Sequence, residues 1–210
     1  MIAALYVATG GCYYGLSEVD PWDRERDARL YAGPHPVVAH PPCERWGRYW
    51  YGGPKVRERL KLGDDGGCFA AALEAVRRWG GVLEHPADSH AWATFEIARP
   101  PRAGGWIDAG DGRGWTCCVE QGHYGHPARK LTWLYAVAAE LPALRWGQSA
   151  PATPRRPIQR RLFESPRREA RRIQQLGTVS RLRHSSRSYE RAATPPAFRD
   201  VLIAIARNAR

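Results

Sequence analysis

Apolar positions along the first two thirds of the chain fall into short blocks with distinct periods. Ile2, Ala3, Ala4, Leu5, Tyr6 and Val7 form a continuous apolar run, which predicts a buried central strand. It leads directly into a glycine-rich turn, Ala8-Thr9-Gly10-Gly11-Cys12-Tyr13-Tyr14-Gly15-Leu16, where backbone amides can approach a cofactor closely. Val37, Val38 and Ala39 form a second run that stops at Pro41-Pro42, because proline cannot continue a ladder. Phe69, Leu73, Val76 and Trp79 recur at helical spacing and end at Gly80-Gly81. Val82-Leu83-Glu84-His85-Pro86 follows as a strand with a polar end. The order strand, loop, helix, strand from residue 37 to residue 86 predicts a βαβ unit with parallel strands.

Later blocks differ in kind. Residues 115–120 and 131–137 flank Gln121-Gly122-His123-Tyr124-Gly125-His126-Pro127-Ala128-Arg129-Lys130, a pattern for a hairpin with an elaborate tip, with Cys117 and Cys118 in the core. Phe198, Val201, Leu202 and Ile205 predict a helix that docks back onto the main domain. Residues 20–30 hold Asp20, Asp23 and Asp27 and read as a short helix, and residues 100–114 as a Gly/Pro-rich loop.

Composition changes this picture in one place. From Pro151 the chain turns to proline, serine and arginine, which divides it into an α/β domain over 1–150, a basic segment over 151–192 and a returning helix over 193–210. Ser165-Pro166 and Gly177 bracket a basic helix over 167–176. The formal net charge is +11, and Lys55, Lys61 and Lys130 are the only lysines, so the charge is carried almost wholly by arginine. Arginine suits bidentate phosphate and base-edge contacts and points to a polyanionic partner. Arg45, Trp46, Arg48, Tyr49, Trp50 and Tyr51 mix aromatics with charge, as base stacking beside phosphate contacts requires, or as a lid packed on the domain would. The five cysteines (Cys12, Cys43, Cys68, Cys117 and Cys118) show no Cys-x-x-Cys pairing, which argues against zinc or a disulfide framework and for a reducing cytoplasm. No apolar run reaches membrane-spanning length and residues 1–7 lack a basic leader, so a soluble cytoplasmic protein with no membrane partner is expected.

Candidate chemistry centres on Cys43. A strand that ends in Pro41-Pro42 presents this thiol at the C-terminal edge of an α/β sheet, where such folds keep their sites. If the strands at 37 and 82 are neighbours, Glu84 arrives at the same edge. A cysteine and a glutamate there allow acyl transfer, for which His40 and His85 are the best-placed bases, although no nucleophile-elbow or papain-like local sequence accompanies them. They also allow pyrimidine activation, in which a thiolate adds to C6 while a carboxylic acid protonates N3. Basic surface and stacking aromatics agree with the second.

Five stretches, in order, resemble motifs of the DNA cytosine-C5 methyltransferases. Tyr6-Val7-Ala8-Thr9-Gly10-Gly11-Cys12-Tyr13-Tyr14-Gly15-Leu16 is similar to the family's first motif. Pro41-Pro42-Cys43 resembles its catalytic Pro-Cys motif, and Glu84-His85-Pro86 its Glu-Asn-Val motif. Tyr124-Gly125-His126-Pro127 and the basic residues after it resemble the motif that carries Gln, Arg and Arg. Ala193-Thr194-Pro195-Pro196-Ala197-Phe198 resembles the last, in which the C-terminus returns to the cofactor pocket.

The resemblance implies a reduced Rossmann-like sheet, mostly parallel with a C-terminal hairpin. It also implies S-adenosylmethionine as methyl donor, DNA as partner and a flipped cytosine as substrate. Cys43 is then the nucleophile and Glu84 the N3 acid, with Arg129 and Lys130 beside them. Gly10, Gly11, Gly15, Asp20, Pro41 and Thr194 line the cofactor site. The chain departs from the pattern at Ala8, at His85, at Ala128 and Thr132, and in the short span from Leu16 to Val37. That span leaves Glu18 or Asp20 to hold the cofactor ribose, and only the segment 155–191 stands in for a target-recognition domain. Two alternatives stay open: a pyrimidine-C5-modifying enzyme with another one-carbon donor, such as a folate, and a non-catalytic nucleic-acid-binding protein on the same fold.

Overall fold

The structure, a computed structural model, describes residues 1–53, 57–150 and 193–209. The basic segment 151–192 and its expected helix lie outside the described residues. In chain order the strands are β1 (Ile2–Leu5), β2 (Val19–Trp22), β3 (Val37–Ala39), β4 (Gly81–Pro86), β5 (Ile107–Asp108), β6 (Trp115–Glu120) and β7 (Leu131–Val137). The helices are α1 (Cys68–Trp79), α2 (His90–Thr94) and α3 (Pro196–Arg207), with 3-10 turns at Ala28–Leu30 and Gln121–Tyr124. All seven strands join one sheet in the order β2-β1-β3-β4-β7-β6-β5.

The expected mostly parallel sheet is corrected to a mixed one. The β2–β1, β1–β3 and β3–β4 pairings are parallel, and the β4–β7, β7–β6 and β6–β5 pairings are antiparallel. The reason is the hairpin: it docks on the open edge of β4 and extends the sheet, so it makes up half the pairings rather than a small appendage. The predicted βαβ unit is present, with β3 and β4 adjacent and α1 crossing between them. At Gly81, whose φ is +115°, a Cβ would fall 1.9 Å from the Val37 carbonyl oxygen, so this pairing excludes any side chain there.

The acidic stretch 20–30 is not a helix. Val19, Asp20, Pro21 and Trp22 form β2, and only Ala28–Leu30 closes a 3-10 turn, capped by the Asp27 carboxylate. Pro21 has no N–H to give, and β2 can carry it because β2 is an edge strand.

Alternation along the central strands sorts their side chains onto two faces. Ala3, Leu5, Val37, Ala39 and Leu83 pack with Phe69, Leu73 and Val76 of α1. Ile2, Ala4, Val38 and Val82 pack with Phe198, Leu202 and Ile205 of α3, the returning helix predicted from its spacing. Arg199 donates to the Cys12 carbonyl at 2.7 Å, and Arg207 pairs with Glu18, which ties α3 to the β1–β2 connection. Among the described residues no helix is long and apolar enough to cross a membrane.

Candidate active site at the C-terminal ends of the parallel strands

The four parallel strands end on one edge, and the candidate residues gather there. β3–β4 register pairs Val38 with Val82 and Ala39 with Leu83; one step further sets His40 beside Glu84. The same alternation that sends Leu83 and His85 into the α1 face sends Glu84 to the other, where the glycine-rich loop lies. Glu84 and His85 therefore do different work although they are consecutive.

Glu84 is 7% exposed and both carboxylate oxygens are engaged. His40 Nδ1 lies 3.0 Å from Oε2, and Gln121 Nε2 donates to Oε1 at 2.9 Å. Gln121 also donates to Thr132 Oγ at 3.0 Å, and the Tyr13 hydroxyl sits 2.8 Å from His40 Nε2. Burial alone would raise the Glu84 pKa, but the Lys130 ammonium and the hydrogen bond and charge at His40 outweigh it and hold it near about 2. Glu84 is thus a carboxylate, which only accepts, so the proton on the His40–Glu84 bond belongs to Nδ1. Burial keeps the Tyr13 hydroxyl protonated, its pKa raised well above the usual phenol range.

Cys43 follows the two prolines, half-buried, and its carbonyl accepts from the amides of Trp46 and Gly47 at 3.0 Å each. Burial raises the thiol pKa, Glu84 and Glu44 add to the rise, and Lys130 opposes it. The resting pair is therefore thiol and carboxylate. Addition to a pyrimidine needs thiolate and carboxylic acid, the same number of protons differently placed.

Lys130 acts on both groups and adopts φ +41°, a left-handed conformation that costs a non-glycine residue. Its Nζ donates to the Ala193 carbonyl at 3.2 Å. Thr194 follows in the segment that enters α3, so this segment spans from Lys130 to the Cys12 carbonyl on the glycine-rich loop. Arg129 is half-buried in the hairpin tip, where its carbonyl accepts from the Gly122 amide at 3.0 Å. Pro41, two residues before Cys43, is buried.

The loop after β1 keeps open space. Gly10 and Gly15 have φ of +67° and +78°, and nothing lies within 4 Å of where a Cβ would stand. At Gly11 a Cβ would meet the Ala8 carbonyl oxygen at 2.8 Å. Asp20 is occupied by neighbours: Trp22 Nε1 donates to it at 2.8 Å and Arg26 forms an ion pair with it. Asp23, one residue past β2, instead faces the loop and accepts from Thr9 Oγ at 2.8 Å and the Tyr14 hydroxyl at 2.5 Å. Those two bonds, Tyr14 first, hold its pKa below the ordinary carboxylate range.

Sequence reasoning missed Tyr13, Asp23 and Gln121, and weighed His40 only as an acyl-transfer base. Gln121 carried one signal, its place as the first residue of the hairpin tip; Asp23 carried none, because the strand it follows does not show in the sequence pattern. Around Cys43 the aromatic loop splits. Trp46 is buried and donates to Asp65 at 2.8 Å, whereas Tyr49 is 57% exposed with the Arg48 guanidinium 5.6 Å from its ring. No protein-family model matches the chain, and neither does any curated protein or solved structure.

Proposed function

We propose that the protein is a DNA-modifying enzyme that transfers a methyl group from S-adenosylmethionine to C5 of cytosine through a covalent Cys43–C6 adduct. The observation that carries the reading is the placement of Cys43 just past β3 and of Glu84 within the adjacent parallel β4, one residue beyond its pairing with β3, with both oxygens of Glu84 held by donors. In this reading the parallel half is a reduced Rossmann-like methyltransferase sheet. Gly10, Gly11 and Gly15 border the cofactor, and Asp23, rather than Asp20 or Glu18, accepts from the ribose hydroxyls by exchanging its bonds to Thr9 and Tyr14. The exposed Tyr49 and Arg48 supply stacking and charge for a nucleic-acid partner, and the protein works in the cytoplasm.

The chemistry follows from the protons. Cys43 releases its proton to solvent and attacks C6, N3 takes a proton from Glu84, and C5 becomes the nucleophile. S-adenosylmethionine, once bound, would supply the methyl group and leave as S-adenosylhomocysteine. C5 then loses its hydrogen as a proton to solvent, the Sγ–C6 bond breaks to return the thiolate, and N3 gives its proton back to Glu84. Lys130 lowers the cost of the thiolate and also favours the ionised Glu84, so Glu84 must gain its proton from elsewhere when the base binds.

The test is expression of the full chain in a host without cytosine methylation, with mass spectrometry of its DNA. The wild type is expected to yield 5-methylcytosine, and Cys43→Ala less than about a thousandth of it. Soluble wild-type protein that leaves the DNA unmodified would sink the proposal. Calorimetric titration with S-adenosylmethionine separates the donor from the chemistry: a Cys43-dependent adduct with 5-fluorocytosine DNA but no heat of binding would assign another one-carbon donor.

A further inference from the structure

The resting site leaves one requirement unmet, a source of protons for Glu84. His40 is hydrogen-bonded to that carboxylate, lies one residue past β3 and is backed by the buried Tyr13 hydroxyl. We propose that His40 is the proton source for Glu84, passing its Nδ1 proton to the carboxylate as the pyrimidine is attacked. This rests on the Cys43–Glu84 reading above.

The geometry favours this direction of transfer. Glu84 can only accept on the Oε2 side, and His40 is the donor there. In the imidazolium form both ring nitrogens donate, Nδ1 to Glu84 and Nε2 to the Tyr13 oxygen. Once Nδ1 has given up its proton, the neutral ring keeps the proton on Nε2, which still donates to the Tyr13 oxygen, while Nδ1 becomes the acceptor for the Glu84 carboxylic acid. His40 therefore passes its proton and takes it back without losing either partner. Gln121 anchors the other oxygen and donates to it, so Glu84 does not turn away as its charge changes.

The step balances without any outside reagent. The Nδ1–H bond of the imidazolium breaks as the Glu84 O–H bond forms, leaving neutral imidazole. Glu84 then gives a proton to N3 as the Cys43 Sγ–C6 bond forms and the C5=C6 electron pair moves toward C4 and N3. If no methyl donor is present, C5 takes a solvent proton and loses its original hydrogen. The Sγ–C6 bond then breaks and the N3 proton returns through Glu84 to His40. The charged and titratable groups around this path are Lys130 and His85 acting on Glu84, Cys43 on which Glu84 acts, and Cys12, Glu84, Arg199 and Asp200 acting on Tyr13.

Release of tritium from DNA carrying [5-³H]cytosine reads this path with no cofactor. His40→Asn keeps an N–H donor in place of Nδ1 but cannot pass a proton on. Wild type is expected to release tritium, Cys43→Ala none, and both His40→Asn and His40→Ala to be slower by about 100-fold. DNA binding should stay within about twofold, and the limb on which rate falls with rising pH should vanish from His40→Asn. Tyr13→Phe should slow release by about fivefold, the loss of one hydrogen bond to the ring. If wild type releases tritium and a folded His40→Asn matches it in rate and pH profile, His40 only orients Glu84 and the proposal is overturned while the site reading stands. A wild type that releases none overturns the site reading itself, and this proposal with it.

Discussion

β2, β1, β3 and β4 run parallel and each ends at the candidate site, whereas β7, β6 and β5 run antiparallel and reach it only through one connection. A parallel strand sends its following loop to the same edge every time, so four consecutive strand ends deliver the glycine-rich loop, Asp23, His40 with Cys43, and Glu84. The hairpin alternates direction, so only its tip over 121–130 lies at that edge, with Gln121 and Lys130. The difference also shows in burial. β1, β3 and most of β4 are covered on both faces by α1 and α3, while Trp115 on β6 is 42% exposed. The candidate residues are thus concentrated in the parallel half, and the antiparallel half adds Gln121 and Lys130 beside Glu84.

The sharpest way to break this comparison is to empty one side of it. Phe69 on α1 is fully buried and packs its ring against His85, Trp92, Trp46 and Phe95 under the parallel half. Phe69→Ala should cost about 3–5 kcal/mol in chemical denaturation, the usual loss for a fully buried phenylalanine. Trp115→Ala on the antiparallel side should cost less than about 0.5 kcal/mol, as exposed positions do. Equal losses would mean that the two halves are equally committed to the core.

A second contrast lies at the seam where β4 meets β7. His85, paired in register with Trp133, is buried among Phe69 and Trp92, and among the described residues no well-formed hydrogen bond reaches its ring nitrogens. Burial, against the weaker pulls of Glu84 and the Pro42 carbonyl, lowers its pKa to about 4 from 6.5. The unfolded chain therefore binds more protons between those values, and stability falls as pH drops from 6.5 to 4, by about 3 kcal/mol. Glu84 has the opposite origin but the same direction. Its depressed pKa stabilises the fold above its ordinary value of 4.5, and that contribution fades as pH falls toward about 2. The two windows overlap only between pH 4.5 and 4, so His85→Phe should flatten the stability curve from pH 6.5 to near 4.5 and leave the acid loss below it. Denaturation midpoints over that range decide whether the neutral histidine is the source.

These residues show what could be read from the chain and what could not. The βαβ unit, the hairpin and α3 were legible because Leu73, Val76, Leu202 and Ile205 repeat at helical spacing and Val37 to Ala39 stop at prolines. The neighbouring placement of Cys43 and Glu84 followed from that unit alone. The hairpin's share of the sheet was not legible, since periodicity says nothing about which edge accepts a partner strand. Nor was β2: three charged or turn-forming residues, Asp20, Pro21 and Asp23, masked a strand that pairs only along β1. Polar partners were the hardest to foresee, because Tyr13 to His40 and Gln121 to Glu84 are contacts across 27 and 37 positions that no local pattern encodes.

Asp20 and Asp23 put the smallest and finest test on the parallel half. Asp20 lies within β2 and is satisfied by an arginine and a tryptophan; Asp23, one residue past it, accepts on Oδ2 from two hydroxyls of the glycine-rich loop and on Oδ1 from the Glu25 amide. A hydroxyl partner is easily exchanged for the hydroxyls of a ribose, whereas displacing Arg26 would leave a guanidinium to be resolvated. Asp23→Asn should therefore weaken S-adenosylmethionine binding by about 10- to 100-fold, the range for hydrogen bonds to a charged acceptor. Asp20→Asn, which loses a largely exposed ion pair, should leave that affinity within about twofold. Calorimetric titration of both variants measures the difference. A larger loss at Asp20 would move the ribose to the outer side of β2, and with it the boundary of the site that the parallel strands build.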